Sequence, residues 1–390
     1  MKDPKKYELR GVSASKSDVH KAIKGLDKGL FPLAFCKIMP DVVARDDEYV
    51  NIMHADTAGT KTSLAYMYWK ETGDISVWKG IAQDAIVMNL DDMACVGVIN
   101  DILISSTIGR NRNLIPGEVI AAIISGAKEF LDMLRDNDIA IHMSGGETAD
   151  VGDIVRTIDV GYTTFARTRK DNLIINNIKE GDVIVGIAGY GLSTYENDYN
   201  GGMGSNGLTS ARHDVFGKQY YEKYPDSFDH NSPADLIYAG SRSLTEKVSI
   251  GDIETTLGKL VLSPTRTFMP VIKTILDKTR SNLNGIIHNT GGAHTKVKKF
   301  APGKTIVKGN LLPIPPLFDI IQKESGTDYS EMFQVFNMGT RLEIYTDEIT
   351  AKEIIDISRS YNITAQVIGH VEDRGTSEVI IKHNDVEYIY

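Results

Sequence analysis

The chain has 390 residues, 42% of them hydrophobic and 24% charged, with 43 basic against 52 acidic side chains for a net charge of -9. That length exceeds one compact core and predicts two domains. The acidic balance argues against nonspecific nucleic-acid binding, which needs a basic face to neutralise phosphates, and leaves small phosphorylated ligands open.

Two cysteines, Cys36 and Cys95, make neither a disulfide framework nor a Cys-rich zinc site. Cys95, in DDMACVGV, reads as a small core residue. The start, MKDPKKYELRG, has no apolar segment after its basic residues and does not read as a secretory signal. No apolar run reaches the length of a membrane span, so a cytoplasmic protein is expected.

The first half alternates strands and helices. NIMHA (51–55) is a predicted strand that runs into HADTAGTKTS (54–63), where no large side chain separates Asp56 from Lys61. The spacing over 76–97 predicts a helix, with Ile81, Ala85 and Met88 on one face, Asp84, Asp91 and Asp92 on another, and Gly97 as its stop. A strand follows at 99–107. The clearest helix spans 116–138, with Pro116 in its first turn and apolar residues recurring on one face. IAIHM (139–143) is a strand with SGGETAD (144–150) as a turn at its end. A strand at 156–169 leads to the predicted boundary within 166–182, giving domains 1–170 and 171–390.

In the second half VIVGIAG (183–189) starts a strand, and 189–207 is the longest irregular stretch, of a length usually functional or mobile. A helix is predicted over 264–279, kinked at Pro270. NGIIHNTGGAH (284–294) reads as a strand and a glycine turn. Strands at 340–346 and 365–372 flank a helix at 348–361.

Three stretches carry acids or glycines at predicted element ends: Asp56 in DTAGTK, Asp91–Asp92 in LDDMACVG, and Glu147 in SGGETAD. Magnesium takes hard oxygen ligands, commonly one or two carboxylates with phosphates and waters, so carboxylates gathered by the fold would suit magnesium–ATP. Gly59, Gly145 and Gly146 would let backbone N–H groups approach a phosphate, and Lys61 would add a compact positive charge. Each stretch alone also has a plain structural reading. Asp56 serves as a helix N-cap and Lys61 as a surface residue, Asp91 and Asp92 form a helix's solvated face, and Gly145–Gly146 make an ordinary turn. GMGSNG (202–207) matches GxGxxG without following its strand directly, and PGKT (302–305) lacks the upstream glycine of a phosphate loop. His288, before two glycines, has the chemistry for proton transfer or phosphate binding, and equally for a hydrogen bond to backbone.

Taken in order, DTAGTK (56–61), DDMACVG (91–97), SGGETAD (144–150), GSNGLTSAR (204–212), LSPTRTF (262–268), HNTGGAH (288–294) and EMFQVFNMGTRL (331–342) resemble the phosphoribosylformylglycinamidine cyclo-ligases, also called aminoimidazole ribonucleotide synthetases. The resemblance runs from about Tyr7 to about Val371. It implies an α+β fold with an α/β-like N-terminal domain and an α+β C-terminal domain, paired as a homodimer through the N-terminal sheets. It implies ATP and Mg2+ as cofactors and a small nucleotide substrate. The reaction implied is cyclisation of formylglycinamidine ribonucleotide to aminoimidazole ribonucleotide with release of ADP and phosphate. On these motifs Asp56, Asp92 and Glu147 become metal ligands. Gly59, Thr60, Lys61, Asp84, Gly145, Gly146, Asn206, Gly207, Thr290, Gly291 and Gly292 become nucleotide or phosphate contacts. Lys61 and His288 become the catalytic pair. The sequence departs from the family where Gly204 replaces the usual histidine before Ser-Asn-Gly, where Asp91 replaces asparagine, and where KGLDKGLFPLAF (24–35) takes the place of a more glycine-rich loop. Another ATP-dependent enzyme of the same superfamily, or a nonenzymatic nucleotide-binding homologue, is the alternative.

Overall fold

The computed structural model describes residues 6–12 and 17–390. The first sheet contains β1 (Ile38–Pro40), β2 (Tyr49–Thr57), β3 (Ile102–Arg110), β4 (Ile141–Asp150) and β5 (Ile158–Arg169), in the order β1-β2-β5-β3-β4. Only β3 and β4 run parallel, and they are joined through a helix, as a parallel pair requires.

Three helices, α1 (Lys61–Thr72), α2 (Val77–Ala94) and α3 (Gly117–Asp136), belong to this layer, with α2 packed on β2 and β5 and flanked by α1 and α3. Helix α3 is amphipathic, as its spacing predicts: Val119, Ile123, Ala127, Phe130, Leu131 and Leu134 are buried. Helix α2 is different. From Ile81 to Ala94 every residue but Gln83 is buried, including Asp84, Asn89, Asp91 and Asp92. A helix buried all round lies inside the molecule, so its acidic stripe faces the second domain and not water.

The second sheet contains β6 (Val183–Ala188), β7 (Leu283–His288), β8 (Thr305–Lys308), β9 (Thr340–Thr346), β10 (Ala365–Glu372), β11 (Glu378–His383) and β12 (Val386–Ile389), in the order β7-β9-β6-β10-β8-β11-β12. Further helices are α4 (Leu208–Val215), α5 (Met269–Thr279), α6 (Pro316–Ser325), α7 (Tyr329–Val335) and α8 (Glu348–Ser360), and α8 packs on β6, β10 and α5. Helix α5 also touches α2, so the two domains meet along that buried helix. No helix among the described residues is long and apolar enough to cross a membrane.

Two predicted elements differ. SGGETAD is not a turn beyond its strand but the second half of β4, with Gly146 opposite Ser106 and Glu147 opposite Thr107. The register shifts between Ile104 and Ser106, where Ser144 and Gly145 face the single residue Ser105, and Gly145 has φ +110. The glycines therefore make a β-bulge, which keeps the strand going. Helix α5 begins only at Met269, with Pro270 in its first turn and not at a kink; residues 263–267 have no regular secondary structure.

Candidate functional site at the domain joint

Each acid of helix α2 is gripped by the other side of the joint. Asp84 Oδ1 accepts from Lys61 Nζ at 2.8 Å and from the backbone N–H of Thr265 at 2.7 Å, and the Thr265 hydroxyl donates to the same oxygen. Lys61 Nζ donates its second bond to the Ser263 carbonyl at 2.6 Å. Both side chains are fully buried. Burial opposes charge on both, lowering the Lys61 pKa and raising that of Asp84, while each favours the ionised form of the other.

Two turns on, Asp91 accepts from the Thr267 hydroxyl at 2.7 Å and from the Phe268 N–H at 2.8 Å, immediately before α5. Burial pushes its carboxyl up to about 7, against those two donors.

Asp92 faces histidines on both sides. Its Oδ1 lies 2.8 Å from His288 Nδ1, and its Oδ2 lies 3.4 Å from His54 Nε2. Burial works against the anion, but the charge of Lys296 and the bonds from His288 and His54 hold it well below the ordinary carboxylate range. His288 Nε2 accepts from Arg341 Nε at 3.0 Å, so its hydrogen sits on Nδ1. Burial, with the Arg341 charge, pushes its imidazole down to about 4. For His54, burial favours the neutral ring, yet the Asp92 partner raises its pKa. His54 Nδ1 lies 3.0 Å from Asn89 Oδ1, and Asn89 Nδ2 donates to the Asp56 carbonyl at 3.3 Å. Asp56, His54, Asn89, Asp92 and His288 thus form one connected group at the end of β2.

Other motifs converge beside it. The Thr60 and Thr209 hydroxyls are 3.0 Å apart, which places the DTAGTK loop against the start of α4. A Cβ on Gly291 would stand 4.0 Å from Asn206 Nδ2, so the SNG and TGG turns are neighbours. Asn206 Oδ1 is buried without a partner and available to a ligand. Gly207 starts α4 against Phe336. The Gly291–Gly292 turn opens onto a cavity of about 690 Å³ also lined by Lys296, Lys298 and Lys299. Lys296 donates to the Thr290 hydroxyl, and its Nζ lies 4.3 Å from the centre of the Phe35 ring.

Three sequence expectations change in this geometry. Lys61 is not displayed on a thin loop: it opens helix α1 and points inward, because Asp84 and the Ser263 carbonyl hold its ammonium. His288 has both ring nitrogens committed and no exposed surface, which leaves no lone pair for a reacting proton. Glu147 lies on the exposed edge strand, in the row Thr57–Gly161–Thr107–Glu147, three strand spacings or roughly 14 Å from Thr57. Asp56, Asp92 and Glu147 therefore do not form one cage, and no three His, Cys, Asp or Glu side chains are grouped for a metal among the described residues. Gly146 serves packing: a Cβ there would meet Ser106 Oγ at 1.9 Å. Gly59, at the mouth of the DTAGTK loop, meets nothing within 4 Å.

Sequence reasoning passed over His54, Asn89, Thr265, Thr267 and Arg341. Each lies within or beside a quoted motif, and the spacing of apolar residues carries no sign of which hydroxyl or ring turns inward. Arg341 also explains the departure at Gly204: a Cβ there would stand 2.2 Å from Arg341 Nη1, so the guanidinium fills the place of the missing side chain.

Fold and site together define a two-domain α+β protein whose polar centre lies where the domains join, with a lysine-lined cavity beside it. Residues 40–168 match the family model described as AIR synthase related protein, N-terminal domain, and residues 179–382 its C-terminal domain. The chain belongs to this AIR synthase related family. It is 29% identical over 352 residues to a phosphoribosylformylglycinamidine cyclo-ligase of Methanocaldococcus jannaschii, covering 88% of this chain and 86% of the relative. A protein of the same name from Saccharolobus solfataricus is 26% identical, covering 77% and 73%. Among solved structures, T. maritima PurL complexed with ADP superposes with a TM-score of 0.55 at 15% identity, over 98% of this chain and 50% of that one. AaThiL complexed with AMPPCP and TMP gives 0.54 at 12% identity, over 96% of each. At those identities the likeness is one of fold.

Proposed function

We propose that this chain is an ATP-dependent cyclo-ligase that closes formylglycinamidine ribonucleotide to aminoimidazole ribonucleotide, releasing ADP and phosphate, in purine biosynthesis. The observation that carries the reading is the convergence of the DTAGTK, DDMACVG, SNG, PTR, TGG and GTR segments on one domain joint. The shared name of the relatives supports the particular reaction.

In this reaction the formyl oxygen takes the γ-phosphoryl group, the amidine nitrogen attacks the formyl carbon, and the oxygen leaves with phosphate. Such chemistry depends on positioning and charge neutralisation more than on a protein nucleophile. Asn206 and the Thr290–Gly292 turn bind and orient ligand. Lys296 brings positive charge to that turn. Lys61 and His288 act as positioning residues: they hold Asp84 and Asp92, and through them the helix on which the site is built. Magnesium brought with the triphosphate would find hard anionic oxygen in Asp56 and Asp92, and it would supply positive charge to the phosphates.

A homodimer belongs to the same proposal. Met53, Phe165 and Leu103 lie in one row across the first sheet, and Met53 is 65% and Leu103 46% exposed. A second copy would cover this apolar row. Light scattering on the eluting protein checks it, and a monomer at assay concentration overturns it. The activity is tested by mixing protein, magnesium–ATP and formylglycinamidine ribonucleotide. Substrate-dependent release of ADP with formation of the imidazole supports the reading. ADP release only with another acceptor, or none, refutes it.

A further inference from the structure

A second cationic pocket lies outside the acidic centre, and its charges do not balance. Nearly every buried cation in the molecule has an acid. Lys61 has Asp84, Lys308 has Glu343, Arg266 has Glu196, Arg10 has Asp214, and Arg341 lies in the field of Asp84, Asp91 and Asp92. Arg212 has none. It is 4% exposed, and its Nη1 donates to the Ser227 carbonyl and, at 3.0 Å, to the Tyr238 hydroxyl, while its Nε has no partner. Burial opposes its charge first, the Tyr238 partner favours it, and the charges of Arg10 and Arg156 oppose it. A buried guanidinium without a counter-ion is costly unless an anion visits it.

Arg212 lines a cavity of about 290 Å³ together with Arg156, Thr60, Ser63 and Thr209. Thr60 and Ser63 stand at the start of the 12-residue helix α1, which has no acidic residue in its first turn and no side-chain cap. That end carries the partial positive charge of a helix N-terminus. The acids nearby are already engaged: Asp214 with Arg10 at 2.6 Å and Asp229 with Arg156 at 3.4 Å. His213, also on the wall, is kept neutral by burial and then by the surrounding arginines.

We infer that this pocket is a subsite for a phosphate monoester, bound by Arg212 and Arg156 with the first turn of helix α1, and that it takes the ribose phosphate of the ribonucleotide substrate. The ligand's class rests on the geometry, and its identity on the cyclo-ligase reading. Thr209 on the cavity wall follows the SNG turn by two residues on the same helix start, so the pocket lies beside that turn.

The test titrates the whole chain calorimetrically with ribose 5-phosphate, inorganic phosphate and ADP. Ribose 5-phosphate should bind saturably and be displaced by inorganic phosphate but not by ADP. Arg212→Gln should weaken it by about tenfold or more, the loss expected for a charge-assisted hydrogen bond. Arg156→Gln, at a half-exposed rim position where folding is not at stake, should weaken it in the same direction. Displacement by ADP would hand the pocket to the nucleotide and overturn the assignment. So would absent binding, or wild-type affinity in variants that melt at the wild-type temperature. A protein that binds ribose 5-phosphate through Arg212 yet releases no ADP with the ribonucleotide keeps the subsite and loses the cyclo-ligase reading.

Discussion

His288 donates its Nδ1 hydrogen to Asp92 Oδ1 across 2.8 Å, and this one bond ties the glycine turn after β7 to the buried acid of α2. The ring stays neutral because it is buried and because its other nitrogen accepts from the Arg341 guanidinium.

The first prediction concerns pH. His288 titrates near 4 in the folded chain against an ordinary 6.5. Between those values the unfolded chain takes up a proton that the folded ring refuses, so stability is lost as pH falls through the window, by about 3 kcal/mol at its lower end. His288→Gln removes this term. The variant should be less stable than wild type at pH 7 by about 1–3 kcal/mol, since Asp92 and Arg341 each lose a partner. The deficit should shrink as pH falls toward 5. Urea denaturation at both pH values measures it, and a deficit independent of pH would contradict a neutral ring.

Asp91 should behave in the opposite sense. Its folded pKa is raised to about 7 from 3.8, so its contribution is present at low pH and is lost as pH rises from about 4 to 7. Asp91→Asn retains an acceptor for Thr267 or Phe268 without the buried charge. Relative to wild type it should gain stability with rising pH over that window, read from melting temperatures across the series. A constant difference would show that Asp91 is ionised throughout.

Lys61→Met should destabilise the fold by about 3–5 kcal/mol, because it leaves Asp84 as a lone buried charge. Adding Asp84→Asn should recover a large part of that loss. Chemical denaturation of the two single variants and the double variant gives the coupling. Additive losses would show that the pair does not hold the joint.

Gly204→Ala places a methyl group 2.2 Å from Arg341 Nη1 at a backbone φ of +69. Strain at that φ and displacement of a buried guanidinium should together cost about 2 kcal/mol. The melting temperature would report it; an unchanged value would mean that the arginine has room to retreat.

The periodic elements were legible in the sequence: the helices at 77–94, 117–136 and 348–360 and the strands at 102–110, 158–169 and 340–346 follow apolar spacing directly. Helix α1 was not, because KTSLAYMYWKET is buried on most sides and shows no polar stripe. The short strands β8, β11 and β12 carried no pattern strong enough to separate them from loop. At the site, residue types and motif order were legible, but orientation was not. Asp84, Asp91 and Asp92 are spaced like a solvated helix face, and only a covering domain turns that face into an interior. Glu147 shows the converse: a carboxylate among glycines resembled a ligand loop, while pairing with β3 carries it to the sheet edge.

Helix α2 donates its acids to groups from both halves of the protein: Lys61 and His54 from the first, and Thr265, Thr267 and His288 from the second. The two halves are therefore not separable modules on a flexible leash. Cut apart near residue 175, the first would surface three carboxylates in an apolar stripe and the second would lose the anions its hydroxyls and imidazole were folded around. Truncation should give insoluble fragments, and co-expression of the two should rescue both.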